Sequence, residues 1–176
     1  MRKVILFIAM SLDGYIADMS GGVDWLGGQT PGADDMESYN EFIRGIDTVV
    51  MGANTYRQLV TELSQDEWVY HGLTSYVVTH DPMQPTEEIT FTAENPSRLI
   101  NRLKAEEGRD IWICGGAAVA GQLIEDNLID QYYINVIPTI LGGGIRLFGS
   151  VENEIKLKLV GTRSYNGIVD LVYERR

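Results

Sequence analysis

Ile111-Trp112-Ile113-Cys114-Gly115-Gly116-Ala117-Ala118-Val119 is the stretch on which the fold of this chain turns. An apolar run of strand length meets two glycines, and small residues then open a helix. A strand passing through a glycine turn into a helix is a connection of layered α/β sheets. The glycines allow backbone N–H groups at a helix start to come close to a phosphate. A tight strand-to-helix turn also needs glycine on steric grounds alone. What the rest of the chain places around this turn decides between the two.

Upstream, Val4 to Met10 is continuously apolar, as a central strand covered on both faces should be. Ser11-Leu12-Asp13-Gly14-Tyr15 turns, and Ile16-Ala17 resumes an apolar path. A glycine-rich loop, Ser20 to Gly28, carries Trp25 and reads as a flap over a ligand or as a plain surface loop. Asp34 or Asp35 caps a helix running to about Arg44, with Met36, Tyr39, Phe42, Ile43 and Ile46 at helical spacing. Thr48 to Met51 is a second strand, and Gly52-Ala53-Asn54-Thr55 leads into a second helix. Strands follow at Ser75 to Thr79 and Glu88 to Thr92. Asn95-Pro96 starts a helix, with Gly108 as its C-terminal cap.

Downstream of the opening stretch, the helix reaches about Asn127 and Tyr132 to Ile137 is a strand. Lys156 to Tyr165 and Ile168 to Tyr173 flank Asn166-Gly167, a type I′ hairpin signal. Alternation at Lys156 to Leu159 predicts one wet face. The order predicts a three-layer αβα domain over residues 1–176, with a mixed, mostly parallel central sheet and a C-terminal antiparallel hairpin. Ligands in such sheets bind beyond the carboxyl ends of the strands.

The chain of 176 residues is 44% hydrophobic and 22% charged, with net charge −11, an ordinary globular composition. The acidic balance argues against nucleic acid and anionic membranes as partners. No apolar run reaches the length of a membrane span, and the N-terminal run lacks a cleavage-type ending, so a cytoplasmic location is expected. The single cysteine, Cys114, excludes an internal disulfide, and no metal set is expected from it and His71 and His80. There is no G-x-G-x-x-G after the first strand, no P-loop and no G-x-S-x-G elbow. Gly142-Gly143-Gly144 reads as a loop-shaping element.

The ordered set Phe7 to Ala17, Asp24-Trp25-Leu26, Ile46 to Tyr56, Cys114 to Val119 and Ile137 to Gly144 resembles the dihydrofolate reductase superfamily, in its branch similar to the C-terminal reductase domain of RibD. The resemblance covers nearly the whole chain. It implies an NADPH-dependent reductase acting on a pterin-like or pyrimidine-like heterocycle. By the resemblance Ala9 offers backbone groups near the nicotinamide, and Ile16 and Ala17 line it. Gly52, Asn54 and Thr55 meet cofactor phosphates, Thr79 and His80 lie by the adenosine ribose, and Gly115, Gly116, Ala117, Ala118 and Val119 hold the pyrophosphate. The acid expected on the first helix falls near Met36, so Asp35 and Glu37 are candidates for it, with Asp13 as an alternative. Trp25, Tyr39 and Phe42 are expected to face the substrate.

Two departures bear on these expectations. Ala53 stands where an arginine often pairs with the 2′-phosphate, which leaves NADH open as the cofactor and His80 or Arg57 as substitutes. Ala118 and Ala120 replace an arginine and an aromatic, which argues against dihydrofolate itself. The alternatives are a non-catalytic nucleotide-binding protein on the same scaffold and a flavin-dependent enzyme. Pairing of the C-terminal hairpin across a two-fold would give a homodimer.

Overall fold

The computed structural model describes residues 1–64, 67–81 and 83–176. Burial along β1 (Val4–Ser11) alternates between two cores, as a central strand requires. Val4 and Leu6 enter one core, and Ile5 and Phe7 the other. The chain continues through β2 (Tyr15–Ala17), α1 (Glu37–Ile43), β3 (Ile46–Gly52) and α2 (Ala53–Gln58), which runs on as a π-helical turn (Leu59–Leu63). Then come β4 (Thr74–Val78), β5 (Ile89–Thr92), α3 (Pro96–Ala105), β6 (Asp110–Gly115) and α4 (Ala117–Glu125). β7 (Gln131–Ile137), β8 (Ile145–Arg146), β9 (Leu157–Tyr165) and β10 (Ile168–Arg175) complete the order.

Eight strands form one sheet in the order β5-β4-β3-β6-β1-β7-β10-β9. All neighbours from β5 to β7 are parallel, and β10 and β9 join antiparallel. Leu99, Ile100 and Leu103 of α3 and Val119, Ala120 and Leu123 of α4 cover one face. Tyr39 and Phe42 of α1 and Tyr56 and Leu59 of the second helix cover the other. The expected three-layer α/β architecture with a mostly parallel sheet is therefore what the chain forms. Among the described residues no helix is long and apolar enough to cross a membrane.

Several local expectations match in detail. The Asn95 side chain accepts from Ser97 N at 3.0 Å and Arg98 N at 3.3 Å, with Pro96 in the first turn of α3. Asn166 (φ 46°) and Gly167 (φ 79°) make the type I′ turn.

Others are corrected. α1 begins at Glu37 behind Met36, with no capping side chain; Asp34 Oδ1 reaches only Met36 N, at 3.2 Å. Met36 is half exposed rather than part of the helical stripe. α3 ends before Gly108, whose role is close packing: a Cβ there would lie 2.6 Å from Asp47 Oδ2. The wet-face alternation breaks at Lys158-Leu159-Val160, all exposed, because the β9–β10 register shifts at Val172/Tyr173. The sequence reading omitted the two-stranded sheet of β2 and β8. It explains Gly144, where a Cβ would lie 2.1 Å from the Ala17 carbonyl oxygen.

The amino end of the sheet is locked by a buried arginine. Arg2 pairs with Asp47, bonds Thr48 Oγ1, and donates to the carbonyls of Arg109 at 2.6 Å and Leu103 at 3.2 Å. Partial burial pushes the Asp47 carboxyl up, but Thr48, the Arg109 N–H and the Arg2 guanidinium outweigh it and hold it below the usual carboxylate range. This network lies away from the carboxyl ends of the strands, which are left for function.

Candidate active site

Two concavities lie near the carboxyl half of β1, which gives consecutive residues to them. The first is a glycine cradle where β3 and β6 run into α2 and α4. Gly52, at the end of β3, is packed so that a Cβ would lie 3.4 Å from Val119 Cγ2 and 3.7 Å from Gly116 N. A Cβ on Gly116 would lie 3.3 Å from Thr55 Oγ1, and one on Gly115 would lie 3.6 Å from Ile8 Cδ1. Gly115 also has φ +133°, and the Gly115–Gly116 peptide is cis. No side chain caps α4 at Gly116, which leaves the N–H groups of its first turn without a side-chain partner. A bare glycine floor, a threonine hydroxyl and an uncapped helix end suit a diphosphate. The residues expected to hold one are brought together here: Gly52, Thr55, Gly115, Gly116, Ala117 and Val119. Val119 is buried and serves as packing beneath Gly52, while Ala118 is exposed.

The outer end of the cradle is polar. Asn54 Oδ1 accepts from Arg57 Nη1 at 3.2 Å, and Arg57 also pairs with Asp81. Thr79 is buried on the turn after β4, where its Oγ1 accepts from Asp81 N at 3.1 Å; His80 beside it is exposed.

The second concavity is a recess of about 200 Å³ on the α1 side of the sheet. Phe7, Ala9, Asp35, Tyr39, Asn135 and Tyr165 are prominent in its wall, and Leu26 and Gly27 of the glycine-rich loop also border it. Phe7 stacks on Phe42 at 4.2 Å between centroids and lies edge-on to Trp112 at 6.2 Å. Ala9, Asn135 and Asp170 share one register row across β1, β7 and β10. Asp35 Oδ2 accepts from Asn166 Nδ2 at 2.8 Å, which ties the segment before α1 to the hairpin turn. Ile8 borders the cradle and Ala9 the recess, so consecutive residues of one strand touch both.

The structure separates the three acidic candidates. Asp35 borders the recess; as a helix cap it is corrected, because its bond goes to Asn166. Asp13 does not border it. Its Oδ1 accepts from Ser11 Oγ at 2.7 Å and Leu141 N at 3.1 Å, and its Oδ2 accepts from Gly142 N at 2.8 Å. Partial burial pushes this carboxyl up, yet Ser11 and the two loop N–H groups prevail and hold it below the usual range. Held in this way, Asp13 clamps the loop at Leu141 and Gly142 to the turn after β1. Glu37 is exposed and faces Arg163 at 3.8 Å, apart from the residues that line the recess.

Among the substrate-side expectations, Tyr39 lines the recess. Phe42 belongs to the aromatic core under it, against Phe7, Trp112 and Tyr133. Trp25 is half-buried and donates from Nε1 to its own loop at Gly22 O, 3.2 Å away, so Leu26 and Gly27 take its place at the recess. Ile16 and Ala17 lie on β2, and Ala17 is packed under Gly144. Cys114 is held behind the aromatic cluster, 3.3 Å from Tyr70 OH, and burial pushes its thiol up to about 11 against that bond. It is therefore an inert thiol at neutral pH.

Sequence reading missed Asn135, Tyr165 and Asp170. Their signal was present: an asparagine and an aspartate on the inward faces of otherwise apolar strands.

A mostly parallel sheet with a glycine cradle and a recess at its carboxyl edge places the chain among layered α/β proteins. More narrowly, the model of the RibD C-terminal domain matches residues 2–169, and the chain belongs to that family. The Bacillus subtilis protein YwjB, itself uncharacterized, is 39% identical over 175 residues, covering 99% of this chain and 98% of the relative. A Shewanella sp. PV-4 structure assigned to riboflavin biosynthesis is 28% identical, with TM-score 0.85 and 99% of both chains covered. The Thermotoga maritima diaminohydroxyphosphoribosylaminopyrimidine deaminase/5-amino-6-(5-phosphoribosylamino)uracil reductase shares the fold at 16% identity and TM-score 0.71. This chain covers 57% of that protein.

Proposed function

We propose that this protein is an NAD(P)H-dependent reductase of a pterin-like or aminopyrimidine-like heterocycle. The observation that carries the reading is the adjacency of cradle and recess across Ile8 and Ala9. A cofactor diphosphate in the cradle leaves its redox ring room to reach the strand at Ala9, beside the recess. Membership of a family containing riboflavin-pathway reductases supports the same reading. Gly52, Thr55, Gly115, Gly116 and the first turn of α4 are the residues that would hold NADPH, whose nicotinamide supplies a hydride when bound.

The chain's own residues then have separable tasks. Phe7 and Tyr39 give the ring of the substrate an apolar seat. Asp35, fixed by Asn166, accepts a substrate N–H and so orients the ring. Leu26 and Gly27 cover the recess and limit water. At the adenosine end Ala53 carries no charge, and Arg57 is already paired with Asp81. A 2′-phosphate therefore gains little there, and NADH is expected to bind within about tenfold of NADPH.

Cofactor oxidation assayed against pterins and aminopyrimidines tests the proposal. Turnover that falls in Asp35→Asn by about tenfold or more, with cofactor affinity unchanged, supports it. Cofactor binding without oxidation across the panel would favour a non-catalytic nucleotide binder instead.

A further inference from the structure

Asp170 has no part in the reductase reading above, yet it lies on β10 two residues from Ile168, which lines the recess. Its side chain is fully buried on β10. Four neutral donors reach its two oxygens. Ser38 Oγ at 2.6 Å and Tyr133 OH at 3.2 Å donate to Oδ2. Asn135 Nδ2 at 2.6 Å and Tyr165 OH at 3.1 Å donate to Oδ1. Arg163 reaches this cluster at Ser38 Oγ, 3.5 Å away. A carboxylate buried among neutral donors is costly to keep, and an apolar residue would suit the inward face that Ile168 shares.

Two of the four donors line the recess, and their bonds to Asp170 fix what they show to it. Tyr165 has a single hydroxyl hydrogen and gives it to Asp170, so toward the recess its oxygen can only accept. Asn135 gives one of its two amide N–H groups to Asp170, and with its nitrogen on the carboxylate side its carbonyl oxygen lies on the other. Asp35, with one oxygen held by Asn166, presents the other as a further acceptor. Ser38, anchored to the same carboxylate, holds α1 at the residue before Tyr39.

We infer that Asp170 is a positioning residue, setting the hydrogen-bonding sense of Asn135 and Tyr165 so that this wall of the recess accepts and selects the N–H-bearing edge of an amino-substituted heterocycle. The inference rests on the reading of the recess as the substrate site. It deepens that reading by giving Asp170 a task two bonds away from the ligand.

The test uses two ring-sized probes, 2-aminopyridine and 2-pyridone, titrated into the full chain by ligand-observed NMR at mildly acidic pH. Protonated 2-aminopyridine offers two adjacent donors, whereas 2-pyridone offers a donor beside an acceptor. NADPH is titrated separately. The wild-type protein is expected to prefer 2-aminopyridine. Tyr165→Phe changes no charge and is expected to weaken 2-aminopyridine about tenfold while leaving 2-pyridone unchanged. Asp170→Asn frees Tyr165 and Asn135 to turn donors outward, so 2-pyridone should gain as 2-aminopyridine loses. An Asp170 that only braces the fold, or that acts on the cationic probe through its charge alone, would leave 2-pyridone no tighter in Asp170→Asn. That outcome in Asp170→Asn, or no probe preference in the wild type, overturns the inference. Tyr165→Phe leaves three donors on Asp170 and carries the test alone if Asp170→Asn does not fold. Absence of NADPH binding with the probe pattern intact would sink the reductase reading and leave the role of Asp170 standing.

Discussion

At Gly116 a side chain would occupy the space that the proposed cofactor phosphate needs. A Cβ there lies 3.3 Å from Thr55 Oγ1, and larger atoms would fill the cradle. Gly116→Val is expected to lower NADPH affinity by about 100-fold, the loss of two or three charge-assisted contacts. Isothermal calorimetry checks it, and a cooperative melt shows that the domain still folds. Arg2 sets a different kind of limit. Removing it leaves Asp47 facing a vacated partner, so Arg2→Met should cost about 3 kcal/mol by urea unfolding, the lower end for a broken buried pair because Asp47 is partly exposed. The folded-state pKa of Asp47 is depressed, so its contribution is present above the unfolded value and is lost as pH falls through the folded one. The gap between wild type and Arg2→Met should therefore narrow as pH drops below about 4. A gap that stays constant with pH would contradict this.

Elements with local signals were legible from the sequence. Asn95-Pro96 and Asn166-Gly167 carry their geometry within two residues, and the alternating cores of β1 follow from its unbroken apolar run. β2 and β8 were not legible, because a strand of three residues and one of two have no period to read. Their signal was steric, in Gly144 against the Ala17 carbonyl. The hairpin turn also reaches across the molecule. A Cβ on Gly167, at φ +79°, would lie 2.5 Å from Gln29 Cγ, and Asn166 holds both Thr30 and Asp35. Gly167→Val should cost about 1–3 kcal/mol of stability from its backbone conformation. It should also weaken substrate turnover by displacing the loop that covers the recess. Unfolding and kinetics together check it: a stability loss with unchanged turnover would separate the turn from the site.

Across the whole molecule, the cradle could be read from the sequence because its glycines lie in two short segments, and the recess could not. Asp35 was legible as a candidate, but Asn135, Tyr165 and Asp170 come from separate stretches that the β7–β10 and β9–β10 registers bring together, and Asn166 ties Asp35 to them. For the same reason the partners of Asp13 at Leu141 and Gly142 were not legible beside its turn, because they lie far along the chain. The central claim is that the cradle holds a nicotinamide dinucleotide against the recess at Ala9. Calorimetric titration of the wild-type protein with NADPH and NADH tests it most directly. The account predicts saturable one-to-one binding at micromolar to submillimolar cofactor, weakened about 100-fold in Gly116→Val and retained in Asp35→Asn. Absence of binding at millimolar cofactor, or binding that Gly116→Val leaves unchanged, would contradict it.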